Sequence, residues 1–217
     1  MPELHQPIKP RLRGVFHQWA CVGFVPLGLV LVIAAGSARA RIALTIYSVS
    51  LVALFAVSAL YHRINWRSLP ARDWMRRLDH SMIFVLIAGS YTPFALLVIH
   101  GPLGTAILLA VWAGALLGVA FNLVWSDTPN WLRSAVYVGL GWIAVAALPQ
   151  LGAAIGVGGL VLLGLGGVLY TLGAVVYALR RPDPVPAVFG YHELFHSLVI
   201  AAAALQYAVI AFWILPA

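Results

Sequence analysis

The stretch His192-Glu193-Leu194-Phe195-His196 sets two imidazoles four residues apart at the head of the last apolar run, Leu198 to Leu215. On a helix that spacing puts both rings on one face, a turn apart, so both can reach one metal ion. The same residues match H-E-x-x-H, the pattern of zinc proteases in which the glutamate acts as base. A helix end with two histidines that are only solvated or packed would look the same. The surroundings favour chemistry, because an ionisable group at the edge of hydrocarbon is costly and usually has a partner or a task.

Hydrocarbon is the solvent that composition implies. Of the 217 residues 63% are hydrophobic and 9% charged, against about 25% charged in soluble domains. The chain therefore reads as an integral membrane protein. A net charge of +7 would suggest nucleic acid in a soluble protein; here arginines in short loops read as topology determinants and headgroup contacts, and no nucleic-acid partner is expected. Cys21 is the single cysteine, so there is neither a disulfide framework nor a thiolate site, and any metal must be held by His, Asp or Glu. Lys9, Arg11 and Arg13 ahead of the run Val15 to Ala35 resemble a signal peptide. The run exceeds an h-region of about 7 to 15 residues, so it reads as a retained first span.

The elements that must position the histidines follow from runs of about 20 apolar residues. Seven are found, near 15–35, 42–62, 79–99, 103–125, 132–151, 155–179 and 188–215. Helices are the form such segments take in lipid, which predicts an all-α, seven-helix bundle forming a single domain over residues 1–217. With seven spans, Lys9, Arg11, Arg13, Arg63, Arg67, Arg72, Arg76, Arg77, Arg133, Arg180 and Arg181 share one side, and only Arg39 and Arg41 face the other. The positive-inside rule then puts the N-terminus in the cytoplasm and the C-terminus outside. The basic connection 63–78, with Trp66 and Trp74, suits a segment lying in the inner headgroup layer. Glycines 156, 158, 159, 164, 166, 167 and 173 permit close helix approach. Pro93 and Pro149 are expected to kink their helices.

Topology serves as a ruler of depth. His62 closes the second span, Asp79 and His80 open the third, and His192 and His196 open the seventh. All five fall at the cytoplasmic end, whereas His100 lies at the outer end and cannot join them. Three neutral imidazoles, from His62, His192 and His196, suit zinc and leave a fourth position for water, the open arrangement of a catalytic site. Zinc would bring that water's pKa to about 7. Asp79 could accept the water's proton, or simply cap its helix. Ser58, one turn before His62, could orient the water or bind a substrate carbonyl, or bond back to its own helix. His80 is about 100° round the helix from Asp79 and stays outside the coordination shell.

Ser58-Ala-Leu-Tyr-His62, Leu78-Asp79-His80-Ser81 with Gly89-Ser90-Tyr91-Thr92-Pro93, and His192-Glu-Leu-Phe-His196 together resemble the haemolysin III family. That family is the bacterial branch of the superfamily of adiponectin and progestin receptors (PAQR), with alkaline ceramidases as more distant relatives. The resemblance spans nearly the whole chain. It implies a multi-pass bacterial inner-membrane protein whose zinc, held by His62, His192 and His196 near the cytoplasmic side, is contacted through water by Asp79 with Ser58 nearby. One departure is Gln206, where relatives often carry histidine. The leading expectation is a zinc-dependent hydrolase of a lipid amide or ester, with a membrane lipid as substrate or ligand. The alternatives are a non-enzymatic receptor-like or membrane-homeostasis (haemolysin, pore-type) protein with structural zinc, and an intramembrane protease with Glu193 as base.

Overall fold

A computed structural model describes residues 9–125 and 128–215. Its elements are α1 (Val15–Ala34), α2 (Ala38–Arg63), α3 (Leu69–Leu97), α4 (Gly101–Val124), α5 (Asn130–Gly141), a 3₁₀ passage (Trp142–Ala147), α6 (Leu148–Leu179), α7 (Tyr191–Val209) and a closing π turn (Ile210–Ile214). Six helical runs are long and apolar enough to cross a membrane, with Asn130–Leu179 counted as one. Among the described residues the sole β pairing is an isolated bridge between Val185 and Phe189.

The run Asn130–Leu179 is not one rod. Gly156 has φ 61° and ψ −174°, a conformation essentially confined to glycine. Across it, Trp142 Nε1 donates to Thr171 Oγ1 at 3.0 Å, although 29 residues of unbroken helix would hold them about 43 Å apart. The chain therefore doubles back at residue 156. This glycine makes a turn, whereas Gly166 and Gly173 do what glycine-rich helices were expected to do. A Cβ on Gly166 would stand 3.5 Å from the Ala202 carbonyl oxygen, and one on Gly173 would stand 3.4 Å from the Phe195 ring. α6 and α7 thus pack backbone-close, by the contact-driven association that membrane helices use. Pro149 stands at the start of α6, just past the 3₁₀ passage. A residue without an N–H cannot continue the i to i−4 ladder there.

The second connection is shorter than hydropathy suggested: residues 69–78 form the first turns of α3. Ser68 Oγ accepts from the Ala71 N–H at 3.4 Å and Pro70 follows in the first turn, a strong start signal. A hydropathy scan begins where side chains become apolar, but a helix begins where its backbone is capped. Asp79 and His80 therefore sit nearly three turns inside α3 rather than at its head, and Asp79 is not a helix cap.

Successive helices from α1 to α4 pack side by side, α6 lies on α7, and the circle closes where α7 meets α1 and Ile210–Ile214 meets α3. Hydrogen bonds register the two ends. At one, Arg77 Nη1 caps the Leu123 carbonyl of α4 at 2.6 Å and Tyr137 OH donates to the His80 carbonyl at 2.9 Å. At the other, the His100 N–H donates to Gln150 Oε1 at 2.8 Å. The first end carries the basic residues from Lys9 to Arg181, and the second carries Arg39 and Arg41.

Candidate metal centre

The start of α7 is held by an acidic frame. Asp183 Oδ1 accepts from the Tyr191 N–H at 2.8 Å, and Glu193 Oε2 accepts from the Gly190 N–H at 2.9 Å. The other Glu193 oxygen takes the Arg13 guanidinium, and the side chain is fully buried. Arg13 reaches Glu193 because the segment before α1 runs under the α6–α7 loop, with the Arg11 and Leu12 N–H groups donating to the Ala187 and Val188 carbonyls at 3.1 and 3.2 Å. Gly14, at φ 78°, then passes so close to α2 that a Cβ on it would lie 2.6 Å from His62 Cβ.

Within that frame the three expected imidazoles converge. His62 Nε2 and His192 Nε2 are 3.1 Å apart, and one nitrogen from each of His62, His192 and His196 falls within 4.8 Å of the others. Neighbouring nitrogens around a tetrahedral zinc stand about 3.3 Å apart; the His62–His192 pair is near that spacing, and the three rings lie close enough together to share one metal ion. All three rings are buried. Asp79 Oδ2 lies 3.7 Å from His62 Nε2, and the Ser58 hydroxyl stands beside the Asp79 carboxyl. His80 turns away as helix geometry dictates, its Nε2 meeting Tyr177 OH at 3.2 Å. His100 is at the far end, exposed ahead of α4.

Four residues were not singled out from the sequence. His17 of α1 stacks on His196 with ring centroids 3.6 Å apart and planes 14° from parallel, and meets the Phe55 ring at 5.0 Å. A lone histidine in an apolar run has no spacing partner to betray it. Arg133, counted as a loop charge, is 4% exposed within α5, where its guanidinium stands beside Tyr177. The Arg133 to Tyr137 interval, one helical turn with Ser134 between, was the available signal. Tyr137 and Tyr177, both reaching His80, complete this group.

A cavity of about 240 Å³ opens from the histidines into the bundle. Ser58, Asp79, His80, His192 and His196 line one end, and leucines of α6 together with Phe94, Ile99 and Gln206 line the rest. This combination of a multi-helix membrane fold, a buried three-histidine cluster beside a carboxylate, and an apolar cavity defines a class of membrane protein with a candidate metal centre.

The chain belongs to the haemolysin III family, since the family described as "Haemolysin-III related" matches residues 5–207. It is 35% identical to the Hemolysin-3 homolog of Bacillus subtilis (strain 168) over 178 residues, 82% of this chain and 80% of that protein. With Hemolysin-3 of Bacillus cereus it shares 30% identity over 220 residues, 100% of this chain and 97% of the relative. A PAQR relative, the adiponectin receptor protein of Drosophila melanogaster, is 25% identical over 257 residues, 94% of this chain and 53% of the relative.

Proposed function

We propose that this protein is a zinc-dependent hydrolase of a lipid amide or ester, built as seven membrane crossings with the basic end and the N-terminus in the cytoplasm. The reversal at Gly156 supports counting the run Asn130–Leu179 as two crossings, and the segregation of basic residues supports the orientation. The localisation that follows is a cell membrane, the inner one in a bacterium, with the site near the cytoplasmic face. One observation carries the reading: His62, His192 and His196 meet beside Asp79 and Ser58 where a long apolar cavity begins.

His62, His192 and His196 would hold the ion. Bound zinc supplies Lewis acidity, which brings a water's pKa to about 7. Asp79 takes up the proton of the attacking water and returns it to the departing amine or alcohol, the work of a general base and then acid. Ser58 donates its hydroxyl to the Asp79 carboxyl or to the substrate carbonyl. The apolar walls hold the acyl chain and keep bulk water from the scissile bond. Arg13 and Gly190 occupy both oxygens of Glu193, which speaks against a protease in which that carboxylate is the base.

Metal analysis of the purified protein tests the ligand set. The wild type is expected to carry one zinc per chain, and His62→Ala, His192→Ala and His196→Ala to carry less than about a tenth of that. Incubation with ceramides, N-acyl amines and ester lipids tests the chemistry. Asp79→Asn is expected to keep its zinc and lose about 10²- to 10⁴-fold in turnover. A zinc-loaded wild type that cleaves nothing across the panel would defeat the hydrolase reading.

A second reading is a receptor-like or membrane-homeostasis protein whose zinc ties α2 to α7. It draws on the adiponectin receptor relative and on the way one cluster joins helices far apart in sequence. It gains if Asp79→Asn leaves both zinc and the cellular phenotype unchanged.

A further inference from the structure

One polar side chain stands in the apolar part of the cavity with no work in the proposed chemistry. Gln206 lines the wall, half-buried, and no described residue bonds its amide. It follows His196 on α7 by about 15 Å of helix, at a depth where leucine would line a hydrocarbon chain without leaving amide groups unsatisfied. Tyr170 of α6 is its counterpart: it is on the same wall, and its hydroxyl has no hydrogen-bond partner. A Cβ on Gly173 would meet Phe195 and one on Gly166 would meet Ala202, so Tyr170 lies between those two levels on an antiparallel helix. Side chains lean toward the N-terminus of their own helix, which brings the tips of Tyr170 and Gln206 toward the level of Ala202 from opposite directions. The other polar groups in this part of the wall are engaged. Ser90 donates to the Ile87 carbonyl, Tyr91 to the Gly141 carbonyl, Trp142 to Thr171, and Thr171 to the Gly167 carbonyl. Ser134, also without a partner, is at the histidine end, just before the Tyr137 that bonds His80. Tyr47 lacks a partner too but is not on the wall.

We infer that Gln206 and Tyr170 form a polar station for an oxygen carried partway along the acyl chain, so that the cavity prefers a hydroxy-acyl lipid to an unsubstituted one. This rests on the reading that an acyl lipid enters with its carbonyl at the histidines. A hydroxyl both donates and accepts, and between a glutamine amide and a phenol it does both. A methylene at that place leaves the two protein groups unsatisfied, and an unmade hydrogen bond in a buried site costs more than a made one gains on average. Length then fixes position. With C–C bonds of about 1.5 Å an extended chain advances about 1.25 Å per carbon. The carbonyl at the ion takes up the first few ångströms of the path, so the station, about 15 Å along α7, meets roughly the tenth to thirteenth carbon.

The test uses the full chain, zinc-loaded in detergent and carrying Asp79→Asn so that bound amide is not consumed. Three probes are measured at equilibrium: N-stearoylethanolamine and its derivatives with a hydroxyl on carbon 12 or on carbon 2 of the acyl chain. The 12-hydroxy amide is expected to bind about three- to tenfold more tightly than the unsubstituted one, and the 2-hydroxy amide to share none of that gain. Gln206→Met keeps the length of the side chain and removes its amide, and Tyr170→Phe removes the hydroxyl. Each is expected to abolish most of the gain while leaving zinc content unchanged and affinity for the unsubstituted amide within about twofold. Gln206→Leu makes the same comparison if the methionine variant does not fold. Equal affinity for the 12-hydroxy and unsubstituted amides would leave the two side chains to water or packing and overturn the inference. A gain shared by the 2-hydroxy amide, or one that survives both substitutions, would overturn it as well. If none of the three probes binds, the acyl-lipid reading falls and takes the inference with it. If the 12-hydroxy preference holds and wild-type protein cleaves none of the probes, the inference stands and the hydrolase reading alone fails.

Discussion

At the scale of residues, the five positions 192–196 divide into two jobs. The histidines face the cluster with His62, while the glutamate between them closes the helix start and holds Arg13. Helix geometry requires this division, since position 193 lies about 100° from 192 and cannot share its face. Glu193→Gln is therefore expected to destabilise the protein without emptying the metal site. Loss of a buried charge-assisted bond costs about 1.5–3 kcal/mol, read as a lowered thermal midpoint with an unchanged zinc-to-protein ratio. Arg13→Met should do the same, and the double variant should cost less than the sum of the two, because both remove one interaction. Zinc loss in Glu193→Gln would move Glu193 into the metal site.

At the scale of elements, the site depends on how closely α1 and α7 can approach the end of α2. Gly14 is the tightest point, at φ 78° and with no room for a Cβ beside His62. Gly14→Ala meets a backbone conformation unfavourable to a side chain and presses on a proposed ligand at once. Supporting residues of metal sites typically change affinity by 10–100-fold, so competition with a chelator is expected to show zinc held at least about tenfold more weakly. An affinity equal to wild type would mean that His62 has slack. α3 shows another dependence, since its early start at Leu69 lets one rigid helix carry both Arg77, which caps α4, and Asp79, which faces His62.

At the scale of the whole molecule, the two ends differ in charge and in content, and the histidine cluster shares the basic end. If that end is cytoplasmic, a membrane-impermeant maleimide added to intact cells will label Arg39→Cys and not Arg181→Cys, both on a Cys21→Ala background. Permeabilised cells should label both. Labelling of position 181 alone in intact cells would invert the orientation and place the centre at the outer face.

Composition and helical spacing determined that this is a helical membrane protein and which end of it would hold histidines, because hydrocarbon admits few backbone arrangements and makes each ionisable side chain conspicuous. The apolar helices and the gathering of His62, Asp79, His192 and His196 at one end, with His80 turned aside and His100 at the other end, follow from period and length. Tertiary structure decided what lies across the gap between helices: His17 on His196, Arg13 on Glu193, Gly14 under His62, and the Tyr137 and Tyr177 pair around His80. Those contacts join positions as far as 180 residues apart. No local periodicity encodes them, because they arise only when α1 and α7 close the circle of helices and set the two ends of the chain side by side.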